Sequence, residues 1–112
     1  NNKKNNKVYR NCNNFLSCIP PQIFSNNELE ILDLDDNSIT FIPIEIGTLI
    51  NLKELYLDRN QIQIIPIDIS NLLNLEILDL SWNIISYVPK EIQSLINLKE
   101  LNLSCNYIIT IP

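Results

Sequence analysis

The sequence predicts an α/β solenoid, with a curved parallel β-sheet on one side and loops with short helical or 3₁₀ turns on the other. Three observations carry this expectation: a 23-residue period, an L-x-L pair in every unit, and a proline after an aliphatic residue at one fixed place. Leu29, Leu52, Leu75 and Leu98 open the units, Leu32, Leu55, Leu78 and Leu101 come next, and Leu34, Leu57, Leu80 and Leu103 complete the L-x-L pairs. Asn37, Asn60, Asn83 and Asn106 follow, then Ile39, Ile62, Ile85 and Ile108, then Ile42, Ile65, Val88 and Ile111, each of these last four preceding a proline.

Each element follows from its spacing. L-x-L has period two, so Leu32 and Leu34 face one way while Ile31, Asp33 and Asp35 face the other, as in a short strand with one buried face. The Asn after the strand stands where the chain must turn, and an inward amide there satisfies backbone groups that the turn leaves unpaired. The Ile-Pro pair removes a donor and disfavours an α conformation before it, so the return leg starts extended. The segment from Ile44 to Asn51 then turns once as a short helix or 3₁₀ turn. No unit can bury its aliphatic residues alone, so neighbours stack with their strands in one parallel sheet. Glu30, Lys53, Glu76 and Lys99 alternate in sign at equivalent places and predict a ladder of exposed pairs, each worth ~0.2–1 kcal/mol. Ile31, Glu54, Ile77 and Glu100 alternate as well, which points to growth by duplication of a two-unit block.

At these residues the chain resembles the leucine-rich repeat family. The Ile-Pro element and the 23-residue length resemble the family's intracellular scaffold group, which includes Ras-binding scaffolds, cell-polarity scaffolds and the repeat regions of some adenylate cyclases. The units run over 29–51, 52–74 and 75–97, with a partial unit at 98–112. Residues 1–28 hold a polar N-terminal segment and a degenerate unit. There Tyr9, Asn14, Leu16, Ile19, Pro20 and Ile23 keep the frame, while Asn6, Asn11 and Asn26 replace Leu, which reads as an N-terminal cap with a polar outer face.

Composition narrows the function. At 46% hydrophobic and 19% charged residues over 112 positions, the chain has enough apolar material for one folded domain. A net charge of −5 has the wrong sign for nucleic acid or an anionic membrane as main partner. The absence of His removes the usual neutral-pH general base and the commonest metal ligand, and a single glycine, Gly47, cannot form a phosphate-cradling loop. No cofactor and no catalytic residue are expected. Asp33, Asp35 and Asp36 invite a calcium reading, but D-L-D-D-N lacks the Gly turn and closing Glu of such a loop, so they read as solvated surface. Cys12, Cys18 and Cys105 have no zinc-type pair spacing and cannot all pair with one another, which fits a reducing compartment. No apolar run approaches the ~20 residues needed to span a bilayer, and Asn1 to Lys7 lead into no signal-type apolar region. Cytoplasmic location is the expectation, with N-terminal processing or truncation left open by the missing initiator Met.

The outward strand positions are the candidate site. They form columns across the sheet, among them Arg10, Asp33, Tyr56, Asp79 and Asn102, then Cys12, Asp35, Asp58, Ser81 and Ser104, and finally Asn13, Asp36, Arg59, Trp82 and Cys105. Tyr56, Arg59 and Trp82 belong to the residue types that dominate binding hot spots, and they stand amid Asp33, Asp36, Asp58 and Asp79. This surface suits a protein partner with a basic rim and a side chain to set against Trp82. The plainer reading is that the aromatics only pack across the face and the acids keep the chain soluble. The family resemblance implies protein ligands on the concave side and, in its scaffold group, a small GTPase of the Ras type.

Two further features stand outside this face. Phe41, Ile64 and Tyr87 precede the Ile-Pro or Val-Pro pairs, where the family commonly has a polar residue, and would form a second apolar surface unless the loops fold them inward. The final unit stops at Pro112, so its open end is expected to expose core residues, to continue into a longer chain, or to be covered by another molecule, self-association included. The reading for the whole is a non-catalytic interaction module with a concave, acidic, aromatic-centred surface. The alternative is a regulatory or structural repeat region appended to a larger signalling enzyme, such as a cyclase, phosphatase or kinase.

Overall fold

A stretch of three residues whose central side chain, Leu in every unit but the first and Tyr9 there, packs toward the core is all the strand that each unit supplies. The computed structural model describes residues 6–109, and in it five such strands form one sheet in sequence order, all parallel. They are β1 (Val8–Arg10), β2 (Ile31–Asp33), β3 (Glu54–Tyr56), β4 (Ile77–Asp79) and β5 (Glu100–Asn102). Every pairing is offset by one repeat: Tyr9 lies beside Leu32, Leu32 beside Leu55, Leu55 beside Leu78, and Leu78 beside Leu101. The predicted columns are therefore the observed ones. Backbone bonding continues past the strands, with Leu34, Leu57 and Leu80 donating to the carbonyls of Tyr56, Asp79 and Asn102 at 2.8–2.9 Å.

The other wall consists of 3₁₀ turns at Pro21–Ser25, Ile44–Thr48, Ile67–Asn71 and Lys90–Ser94. In each case the preceding proline is extended, as its ring and the chain before it require, and its carbonyl accepts the N–H three residues on, as from Ile46 to Pro43 at 3.0 Å. The turns of the three later units then close on Leu49, Leu72 and Leu95, whose φ near −80° and ψ near +65° make inverse γ-turns. The bonds Ile50 to Thr48, Leu73 to Asn71 and Ile96 to Ser94, at 2.9–3.0 Å, complete them.

Between the walls, Leu32, Leu55 and Leu78, Leu34, Leu57 and Leu80, and Ile39, Ile62 and Ile85 are wholly buried in one continuous core. Full burial of such a side chain stabilises by ~1.5–3 kcal/mol. Leu101 is 42% exposed because no described strand lies beyond β5. In the first unit Ile19 and Ile23 are buried and Tyr9 and Leu16 pack against the core, while Asn26, standing where later units have Leu, donates through Nδ2 to the Asn6 carbonyl at 2.7 Å. The expected open end at Ile111 and Pro112 lies outside the described residues.

Two asparagine ladders hold successive units together. The first was expected: Asn60 donates through Nδ2 to the carbonyls of Leu34, Leu57 and Asp58, and its Oδ1 accepts the Ile39 N–H at 2.9 Å. Asn37, Asn83 and Asn106 do the same in their units. Among the described residues no buried side-chain polar atom lacks a partner. The second ladder runs along the opposite side, where Asn51, Asn74 and Asn97 donate to the carbonyls of Asn27, Ile50 and Leu73 at 2.6–2.9 Å. Two rungs of the predicted charge ladder are present, Lys53 to Glu30 at 3.6 Å and Lys99 to Glu76 at 3.5 Å, while Lys53 and Glu76 form no ion pair with each other.

Candidate protein-interaction surface

The backbone turns left-handed at the residue before each ladder Asn. Asn13, Asp36, Arg59, Trp82 and Cys105 all adopt φ of 56–57°, in the left-handed region. The backbone is pinned there on both sides: Asp36, Arg59 and Trp82 donate their N–H to the carbonyls of Asp58, Ser81 and Ser104 at 2.9–3.0 Å, and the next residue is the anchored Asn. Asn and Asp tolerate this region because their short polar side chains bond locally. Arg and Trp have no such compensation, so Arg59 and Trp82 occupy a conformation that costs ~1–2 kcal/mol each.

At that position Trp82 is 53% exposed, and the Arg59 guanidinium lies 5.3 Å from its ring centroid. Contacts of this kind are worth ~0.5–1 kcal/mol at exposed sites. Among the described residues Arg59 forms no ion pair, so its charge faces the aromatic ring and solvent. Tyr56 stands in its predicted column, between Asp33 and Asp79. It is half-buried, and its hydroxyl donates to Glu54 Oε1 at 2.6 Å, which first among several causes pushes its pKa up to about 12.

Acids flank the pair. Asp79 Oδ1 accepts from both the N–H and the hydroxyl of Ser81, at 3.0 and 2.7 Å, and Asp33 pairs with Arg10 at 2.8 Å. Asp58 sits half-buried between these columns, and burial followed by the charge of Asp79 pushes its pKa up to about 6. Asp35 is raised as well, first by its hydrogen bond with Asp33 and then by burial, whereas Asp33 is lowered, the hydrogen bonds it receives outweighing its burial. Asp36 is exposed at the left-handed column. Cys12, which heads the column of Asp35 and Asp58, joins this group: its ligand atom and those of Asp33 and Asp35 lie within 4.8 Å of one another. Burial and these two acids push the Cys12 thiol up to about 12, so it stays protonated at neutral pH.

The repeat frame, the single parallel sheet and the asparagine ladder converge with the sequence comparisons. The family described as Leucine rich repeat matches residues 11–62 and 27–85, and a second Leucine Rich Repeat description matches 97–112. The chain belongs to the leucine-rich repeat family. No curated protein matches it significantly over its length. Among solved structures, a leucine-rich repeat protein of Leptospira interrogans is 36% identical with a TM-score of 0.84, over 88% of this chain and 25% of that one. A chain of the BIR3–SERK2 complex from Arabidopsis thaliana is 30% identical with a TM-score of 0.83, over 95% of this chain and 60% of that one. A chain of the complex of the Arabidopsis receptor kinase HAESA with the peptide hormone IDA and the co-receptor SERK1 is 36% identical with a TM-score of 0.71, over 80% of this chain and 15% of that one. This leucine-rich repeat chain thus spans a quarter or less of the length of several structures it resembles.

Proposed function

We propose that this leucine-rich repeat domain is a non-catalytic interaction module whose concave face receives a protein partner with a basic rim and an apolar or aromatic anchor. The observation that carries the reading is Trp82 held half-exposed at a left-handed position beside Arg59. Strain kept at an exposed aromatic is the mark of a residue retained for contact, since Asn or Asp would serve the fold better there. Asp33, Asp36, Asp58 and Asp79 supply the complementary charge, which steers association and selects partners more than it adds affinity. Tyr56 contributes its ring, its hydroxyl being held by Glu54. The rigid sheet limits the ordering entropy lost on binding.

The acids lie on an open, regular sheet, and the chain has no His, so an acid–base pair for catalysis has no support here. Cys18 and Cys105 are exposed free thiols, which favours a reducing compartment. Among the described residues no helix is long and apolar enough to cross a membrane.

The test is a pull-down from cell extract with wild type, Trp82→Ala, Tyr56→Ala and Asp58→Lys, with a purified Ras-type GTPase as a separate arm. Recovery of a common partner that drops at least tenfold with Trp82→Ala and Asp58→Lys supports the reading. Undiminished recovery by folded variants removes the site assignment, and no retention of the GTPase removes that partner class.

A further inference from the structure

The residue before each Ile-Pro or Val-Pro pair points out of the fold. Phe41, Ile64 and Tyr87 are 53, 71 and 59% exposed, whereas Ile42, Ile65 and Val88 beside them are buried. Ile44 and Ile67, just past the prolines, are exposed too. Equivalent positions of stacked units lie side by side, so these five side chains make one apolar band outside the sheet. Single exposed aliphatics are ordinary, but the same position apolar in three successive units is a contiguous patch. Toward the first unit the band opens into a groove of about 380 Å³, lined by Cys18, Pro21, Phe24, Phe41, Pro43 and Glu45 among others.

Charge identifies the occupant. Glu45 is the charged residue of that groove, and Asp68 and Glu91 repeat its position in the next two 3₁₀ turns, directly after Ile67 and Lys90. A second copy of this chain, with a net charge of −5, would set acids against acids along the band. We propose that this band docks a basic amphipathic segment of a protein partner, with an aliphatic or aromatic side chain entering the groove beside Phe41 and Lys or Arg residues meeting Glu45 and Asp68. The surface is independent of the concave face and stands or falls without it.

The experiment selects a displayed library of random 12-residue peptides on the wild-type domain, with counter-selection on the Phe41→Ser, Ile64→Ser double variant, whose replaced side chains lie outside the core. The expected survivors combine Lys or Arg with Leu, Phe or Trp. As synthetic peptides they bind at least tenfold more weakly to the double variant and to a Glu45→Lys, Asp68→Lys variant, and equally well to Trp82→Ala. Circular dichroism confirms that each variant is folded, and the charge-reversal pair keeps the test decisive should the double variant misfold. Recovery of no band-dependent peptide, or of neutral or acidic ones, overturns the proposal. So does concentration-dependent self-association of the wild type, measured by sedimentation, that the double variant abolishes, because the occupant would then be a second copy.

Discussion

Asn83 accepts the N–H of Ile62 from the preceding unit through Oδ1 at 2.9 Å, while its Nδ2 donates to the carbonyls of Leu57, Leu80 and Ser81 at 3.0–3.2 Å. One buried amide thus serves two units. Asn83→Ala strands the Ile62 N–H and weakens the support of three carbonyls, at a cost of about 1–3 kcal/mol per buried group left unsatisfied. We expect a loss of at least 2 kcal/mol, read from urea unfolding. Asn83→Asp keeps the acceptor and turns the donor into a charge facing carbonyls, so it should be no better. A loss below about 1 kcal/mol for both would refute the ladder's energetic role.

Trp82 is a trade between fold and surface. Trp82→Asn relieves a φ of 56° by about 1–2 kcal/mol and forfeits the Arg59 contact, worth about 0.5–1 kcal/mol. The thermal midpoint should stay level or rise, while partner recovery falls at least tenfold. A midpoint several degrees lower would show that Trp82 supports the fold and would undo the argument from strain.

Asp58 gives the face a pH dependence. Its folded pKa, about 6, lies above the ordinary aspartate value of 3.8, so the folded state holds the proton more tightly and gains stability as pH falls from about 6 toward 4. At pH 7–8 the ionised carboxylate is a burden that Asp58→Asn removes. The variant should therefore be the more stable protein at pH 8, with the gap closing by pH 4. Paired unfolding curves across that range check the sign, and a gap that widens on acidification contradicts it. A basic partner should likewise bind wild type less well below pH 6.

Gly47 is the chain's one glycine, and it sits where 3₁₀ turns of neighbouring units meet. A Cβ there would stand 2.9 Å from the Asp68 carbonyl oxygen and 2.9 Å from Asn71 Nδ2. The amide can swing away, but the carbonyl belongs to the next turn. Gly47→Ala should destabilise by about 1–3 kcal/mol through overpacking, lowering the thermal midpoint by several degrees. An unchanged or raised midpoint would mean that the two turns separate freely.

Much of this was legible because a fixed repeat turns distance in sequence into adjacency in space. Leu32, Leu55 and Leu78 could be placed side by side from their spacing alone, and with them the columns of Asp33, Tyr56 and Asp79. Asn37 and its equivalents were read as turn residues with inward amides for the same reason. Asn51, Asn74 and Asn97 also recur at one place, yet their role was missed, since an exposed polar residue at a unit boundary carries no burial pattern to mark it. The left-handed column was hidden because its residues, Asp36, Arg59 and Trp82, share no chemistry and include no glycine. The Tyr56 hydroxyl turning to Glu54, two residues back along its own strand, depends on rotamer choice, which spacing does not encode.

Each ladder asparagine reaches back into the unit before its own, so every interior unit is tied on both sides, and this governs how the array comes apart. Melting any interior unit uncaps the turn before it and removes carbonyl partners from the amide after it, so partly frayed forms are penalised twice. Such an assembly should melt in a single sharp step, with hydrogen exchange at interior Leu and Ile amides reporting one common opening energy.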